Sequence, residues 1–325
     1  MNELIHTRYG ELEVPEKNDL IARFLRAYGE WAYLETEFLA HNVMPDSRLF
    51  DVGAFVGTFS LGAQGWPVRS VIAVDANPAV FAALTANLDR NLHVPHQSVR
   101  AAVGTATGRL AVGRYAWEKN LGSLTLREPA IGASPQKETA GVQAGAMVPL
   151  ESLRSTYGDY DLLKLDIEGG ERDALESDAR WIARHQPTIW LECNEDILAF
   201  RSLEFLFAAL YDVHYFAFSS YNPQNVNGNA ARIFPVAFEA GLLALPRGTP
   251  VALPVPLAEA GCVLARVANE EDLRRQLWLT PRWGVAEWPG LSKTQLLGLC
   301  SRFVRKLDYD EFLREGQDDG RDAAQ

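Results

Sequence analysis

Cysteine is scarce in this chain of 325 residues: Cys193, Cys262 and Cys300 stand far apart, odd in number, with no CxxC pair. That excludes a zinc-ribbon or disulfide framework and leaves reduced thiols as the expectation. No HExxH occurs, and the single histidines read as structural. No apolar run approaches the roughly 20 residues of a membrane span. The first residues, Met1-Asn-Glu-Leu-Ile-His6, have neither a basic start nor an apolar stretch, so no signal peptide is expected and the cytoplasm is the default location. Positive charge is also short. There are 31 Lys and Arg against 42 Asp and Glu, a formal net charge of −11, with no basic cluster. Neutralising phosphates needs a basic surface, so no nucleic-acid partner is expected.

What is present is alternation. A helix is expected over about 18–41, where Ile21, Phe24, Leu25, Tyr28, Trp31, Leu34 and Phe38 recur at helical spacing. Strands are then expected at 48–52, 70–74, 98–103, 160–167, 188–193, 213–219 and 241–245. Helices fall after Gly57, from Asn77-Pro78 to about Asn91, near Glu171 and over 201–210. This predicts an α/β fold with a doubly wound, mostly parallel seven-stranded sheet. The last two strands lack an intervening helix and are expected to pair antiparallel. Residues 104–148 read as hairpin-like excursions and loops. After Pro246 the composition shifts, and helices are expected near 270–279 and 292–306 before an acidic tail. The expected division is an N-terminal helical segment 1–47, a catalytic domain 48–250 and a helical C-terminal extension 251–325.

The most informative segment is Leu49-Phe50-Asp51-Val52-Gly53-Ala54-Phe55-Val56-Gly57, a strand, a carboxylate and two glycines opening a helix. Glycines let backbone approach a ligand. The acid argues about which ligand: it would repel a pyrophosphate, and the glycines miss the GxGxxG spacing. S-adenosylmethionine carries a cationic ammonium and sulfonium, so Asp51 suits it, directly or through water. Asp75, ending the second strand, can accept from both ribose hydroxyls. Asp166 ends another strand in Leu163-Lys-Leu-Asp-Ile-Glu-Gly-Gly-Glu171, with Glu168 on the following loop and Glu192 ending the next strand. Such acids can take a proton from a hydroxyl or hold a divalent cation, which no spacing requires. Glu171 reads instead as a helix N-terminal acid.

On these motifs, with Val74-Asp-Ala-Asn-Pro78 and Pro187-Thr-Ile-Trp-Leu-Glu192, the chain resembles the FkbM family of methyltransferases over roughly residues 48–220. The resemblance implies a Rossmann-like class I methyltransferase using S-adenosylmethionine, usually acting on a hydroxyl of a sugar, glycan or natural product. It implies cofactor contacts from Asp51, Gly53, Ala54, Phe55, Gly57, Phe59, Asp75, Ala76 and Ala102. Asp166, Glu168 and Glu192 would lie at the transfer site, and no metal ligand is assigned. Phe55 stands where the family often has Asn. Two candidate acceptor loops are Asn120-Leu-Gly-Ser123 and the amide-rich Tyr221–Asn229. Two alternatives stay open: a nicotinamide-dependent oxidoreductase and a non-catalytic S-adenosylmethionine-binding module.

Overall fold

The computed structural model describes residues 3–14, 19–111, 144–167, 169–193, 196–231 and 238–280. It begins with a hairpin, β1 (Glu3–Thr7) and β2 (Gly10–Val14), where only helix was expected. The helix expected over 18–41 is two, α1 (Leu20–Tyr28) and α2 (Tyr33–Ala40). Asp19 caps α1 by accepting from Ala22 N, and Gly29, at φ 71°, ends it. The apolar period runs on past that break because both helices lie on the same body, so periodicity alone does not register the turn.

Then follow β3 (Ser47–Val52), α3 (Thr58–Gly62), β4 (Val68–Val74), α4 (Pro78–Asn91), β5 (His96–Val99) and β6 (Ala102–Val103). β7 (Gly108–Ala111) and β8 (Ala144–Val148) flank residues outside the description, and with β6 they form a small sheet in the order β6-β8-β7. Next come α5 (Leu150–Tyr157), β9 (Leu162–Leu165), α6 (Glu171–Glu176), α7 (Ala179–His185), β10 (Thr188–Glu192), α8 (Asp196–Ala208), β11 (Tyr211–Ser219) and β12 (Phe238–Pro246). The described part closes with α9 (Val255–Glu259), β13 (Val263–Val267) and α10 (Glu270–Leu279).

The central sheet has eight strands in the order β13-β11-β12-β10-β9-β3-β4-β5. From β10 to β5 all pair in parallel, and β12 runs antiparallel between β10 and β11. The expected antiparallel strand at 241–245 and the adjacency of the 48–52 and 160–166 strands are both observed. The eighth strand was not expected. β13 pairs with β11 along the sheet edge, and most of its residues are only partly covered, so its apolar signal is weak. The proline-rich stretch before it is a surface crossing back to the same sheet.

Two apolar layers cover the sheet. One packs α1–α4 and α9 against Leu49, Val71, Leu162, Leu243 and Phe216. The other packs α5–α8 and α10 against Phe50, Ile72, Leu163, Ile189 and Tyr215. The central strands are buried on both faces, as in parallel sheets generally. β9, Leu-Leu-Lys-Leu, is buried along its whole length, lysine included.

Candidate active site

The carboxyl ends of β4, β3, β9 and β10 lie side by side, where ligands bind in sheets of this kind. Gly53 follows β3 with φ 84°, and its N–H and that of Ala54 donate to Val74 O at 2.8 and 3.0 Å. A Cβ at Gly53 would stand 1.8 Å from the carbonyl oxygen of Asp166. Only glycine fits there, and the two acidic motifs are thereby folded against each other. Phe55 takes φ 49°, a left-handed conformation that a bulky residue enters at a cost of about 1–3 kcal/mol. Asn, often found here in the family, tolerates it better. The turn is held by Phe55 N donating to Asp75 Oδ2 at 2.8 Å. Gly57 then caps α3.

Asp51 is fully buried. Its Oδ2 accepts from Ser60 Oγ at 2.6 Å, and its Oδ1 lies 3.1 Å from Lys164 Nζ. Asp51 and Lys164 are register partners on β3 and β9, as are Lys164 and Trp190 on β9 and β10, so the three side chains share one face. Lys164 also donates to Gly53 O at 2.8 Å and stands 3.3 Å from Asp166 Oδ2. Burial pulls the Lys164 ammonium down, but Asp166, Asp51 and Glu35 together outweigh it and raise its proton affinity. The cation that sequence reasoning sought for Asp51 in a ligand is present in the chain. Lys164 also lies 5.5 Å from the centroid of the Phe59 ring, which packs inward on Trp66.

Asp75 sits just past β4, half-buried, with Oδ2 taken by Phe55 N and Oδ1 by Asn77 N at 2.7 Å. Burial pushes this carboxyl up to about 6 against those two hydrogen bonds. Each oxygen keeps a lone pair, so the acid can brace the loop and still accept from a diol. Ala76 follows it, half-buried. Ala102, which opens β6, is buried in the small sheet and pairs with Met147.

Asp166 is the open acid of the set, with 40% of its side chain exposed. Glu171 turns back under the loop, its Oε1 accepting from Ile167 N at 2.9 Å and Gly169 N at 3.3 Å, which fits the structural role expected of it. Glu192 is half-buried at the end of β10, opposite Gly241 of β12. Glu168 and the 120–123 loop lie outside the described residues. Among those described, no group of three His, Cys, Asp or Glu is arranged to hold a metal.

Sequence reasoning missed Ser60 and Lys164 as partners of Asp51, and it missed Glu35. Glu35, half-buried on α2, accepts from Trp190 Nε1. Lys164 was visible as a lysine inside an apolar strand, but Glu35 carries no motif signal. The asparagine side chains of 221–229 form hydrogen bonds within the chain, while the Gln224 side chain is exposed. Asn225 Nδ2 donates to Asn222 O and Asn229 O, while Asn227 and Asn229 donate to the carbonyls of Arg26 and Ala27. They dock this loop on the end of α1.

The residues fit S-adenosylmethionine in kind: a half-buried carboxylate with spare lone pairs beside a glycine turn, and an exposed acid at the neighbouring strand end. A family model described as the Methyltransferase FkbM domain matches residues 51–219. No curated protein matches. Among solved structures, the chain is similar to the methyltransferase FkbM from Methylobacillus flagellatus KT, at 16% identity and TM-score 0.42, over 66% of this chain and 48% of that one. The chain thus spans about half the length of that protein. It is also similar to the precorrin-6y C5,15-methyltransferase from Geobacter metallireducens GS-15, at 13% identity and TM-score 0.37, over 65% of this chain and 87% of that one. A third is Trm5b from Pyrococcus abyssi, at 12% identity and TM-score 0.40, over 75% and 55% of the two chains.

Proposed function

The chain belongs to the FkbM methyltransferase family, and on that footing we propose that it methylates a hydroxyl oxygen of a sugar, glycan or natural product, with S-adenosylmethionine as donor. Membership sets aside the nicotinamide-dependent alternative. The observation that carries the reading is the convergence of the Gly53 turn, Asp75 and Asp166 at adjacent strand ends, so tight that the Asp166 carbonyl occupies the place of a Gly53 side chain.

The donor supplies an electrophilic methyl carbon on a positively charged sulfur. Asp75 is the residue for its ribose hydroxyls, and the turn from Gly53 to Gly57, with Ala54, Phe55 and Phe59, shapes the surface it lies on. Asp51 acts from beneath by holding Lys164. Asp166, with Glu168 and Glu192, receives the acceptor hydroxyl and orients it by accepting its hydrogen bond. Holding the two reactants in line is the larger part of the catalysis. The net charge of −11 favours an uncharged acceptor over a polyanion.

Calorimetric titration with S-adenosylhomocysteine tests the donor site. Binding is expected, weakened by about 1–3 kcal/mol in Asp75→Ala, the scale of hydrogen bonds to a charged group. Transfer of labelled methyl to a panel of methyl glycosides and polyhydroxylated small molecules tests the acceptor class. Asp166→Asn is expected to lower it by about 10²-fold or more. No binding of S-adenosylhomocysteine would sink the reading. Binding without transfer to any alcohol would return the chain to the non-catalytic alternative.

A further inference from the structure

Glu35 lies outside the matched residues 51–219, yet its surroundings belong to the site. The indole that donates to it is fixed. Trp190 is 1% exposed and packs against Phe38 and Phe216, with ring centroids 6.2 Å away in both cases. A Cβ on Gly241 would stand 2.1 Å from this ring, so β12 carries glycine where the indole crosses it. Gly241 pairs with Glu192, the last residue of β10. The ring therefore runs from Trp190 toward the carboxyl end of its strand, and Glu35 meets it there, at the end where Asp166 stands.

Charged groups reach Glu35 from three other places, Lys164 on β9, Asp166 just after it and Glu239 at the start of β12, and the Tyr9 hydroxyl at the turn of the N-terminal hairpin is in electrostatic reach of it too. On α2 itself Glu37 is engaged by Tyr33 Oη. α3 meets α2 through Gly62 against Thr36, and β11 meets it through Phe216, stacked on Phe38 at 3.9 Å. Asp166 is beside the ammonium of Lys164 at 3.3 Å, so its carboxylate is already engaged by a cation. Among the described residues, Glu35 has no such ion pair at contact distance; its fixed partner is the neutral N–H of Trp190.

Resting on the methyltransferase reading above, we infer that Glu35 is the general base, taking the proton of the acceptor hydroxyl that Asp166 orients. The acceptor oxygen forms its new bond to the methyl carbon while the electron pair of the carbon–sulfur bond stays on sulfur. The hydroxyl proton passes to a Glu35 carboxylate oxygen. Burial pushes this carboxyl up to about 8, against the pull of Lys164 and the indole hydrogen bond. A base of that strength is partly charged near neutral pH and holds a proton once it has one, the balance that general-base catalysis favours.

The test compares the full chain with Glu35→Gln, which keeps an acceptor for the indole, and Glu35→Asp. With carboxyl-¹³C glutamate, the resonance missing from Glu35→Gln should titrate near pH 8 in the S-adenosylhomocysteine complex, and the Trp190 indole signal should move with it. On the glycoside panel, wild-type transfer should rise with pH to about 8. Glu35→Gln should lose about 10²–10³-fold and the pH dependence, with S-adenosylhomocysteine affinity within threefold of wild type. Glu35→Asp should recover part of the rate. Asp166→Asn should slow transfer but keep the pH dependence. Near-normal transfer by Glu35→Gln with an unchanged profile overturns the inference. If no acceptor on the panel reacts, the titration decides alone: a midpoint below about 6.5 overturns it and one above that value upholds it. Failure of the wild-type chain to bind S-adenosylhomocysteine is a different result, and it strikes the donor assignment rather than Glu35.

Discussion

Lys164 shows how one buried residue can tie the acids of two strand ends together. It is a lysine in the most buried strand of the sheet, 5% exposed at its side chain, with Asp51 at 3.1 Å and Asp166 at 3.3 Å. Removing water from two charges costs several kcal/mol each, so such a pair adds little net stability over apolar residues of similar volume. Removing one partner is different, because the other charge is then buried alone. Lys164→Met should therefore destabilise the protein by about 3–5 kcal/mol. Asp51→Asn combined with Lys164→Met should recover much of that loss, since the two sites are in contact and do not add. Urea denaturation of both single variants and the double variant measures the coupling. Purely additive losses would show that the pair does not act as a unit.

At the scale of elements, the N-terminal hairpin is held to α4 through Asn87, with Arg90 and Asn91 of the same helix bonded to Glu11 beside it. Asn87 of α4 is fully buried, accepts from Glu13 N at 2.6 Å, and donates to Glu13 O and Val56 O at 2.9 Å each. It ties β2 to α4 and to the turn that precedes α3. Asn87→Ala breaks three hydrogen bonds worth about 1 kcal/mol each, so a loss of about 3 kcal/mol is expected. Hydrogen exchange should quicken in β1 and β2 and stay unchanged in β9 and β10, as for a locally opening unit. Uniform acceleration would contradict that. The hairpin was not legible in the sequence, because five-residue strands at a chain end carry little periodic signal. The strands and acids of the central motifs were legible. Local chemistry places them there: an apolar run, an acid at its end, and a glycine that no other residue can replace. What could not be read is what the fold brings together from afar. Glu35 looks like any polar position on an amphipathic helix, and its partner Trp190 is 155 residues away. The break at Gly29 is hidden for a related reason, since α1 and α2 present one continuous apolar period to the same core.

Over the whole molecule, buried carboxyls shape how stability depends on pH. Glu35 is raised from an ordinary 4.5 to about 8 and Asp75 from 3.8 to about 6, in both cases chiefly by burial. An acid with a raised folded value binds more protons folded than unfolded, so stability falls as pH rises through the interval between the two. Asp75 acts below about pH 6. His214, held below its usual 6.5 by burial, works in the opposite sense, and its contribution grows with pH only up to that value. Glu30 and Glu171 are raised by burial as well, so the part that belongs to Glu35, whose shift reaches about 8, is isolated over pH 6.5 to 8 by comparing wild type with Glu35→Gln. Wild-type stability should therefore decline across pH 6.5 to 8, by no more than about 1.4 kcal/mol per pH unit for the one proton of Glu35, and the melting temperature should fall with it. Glu35→Gln has no proton to exchange and keeps an acceptor for Trp190, so its melting temperature should fall less over the same range and exceed that of wild type by a margin that widens toward pH 8. Thermal melts of the two proteins at half-unit steps from pH 5.5 to 8.5 make the comparison without substrate or donor. Parallel curves would mean that Glu35 ionises at an ordinary pH and that the α2 carboxyl is not strained by its burial against the sheet.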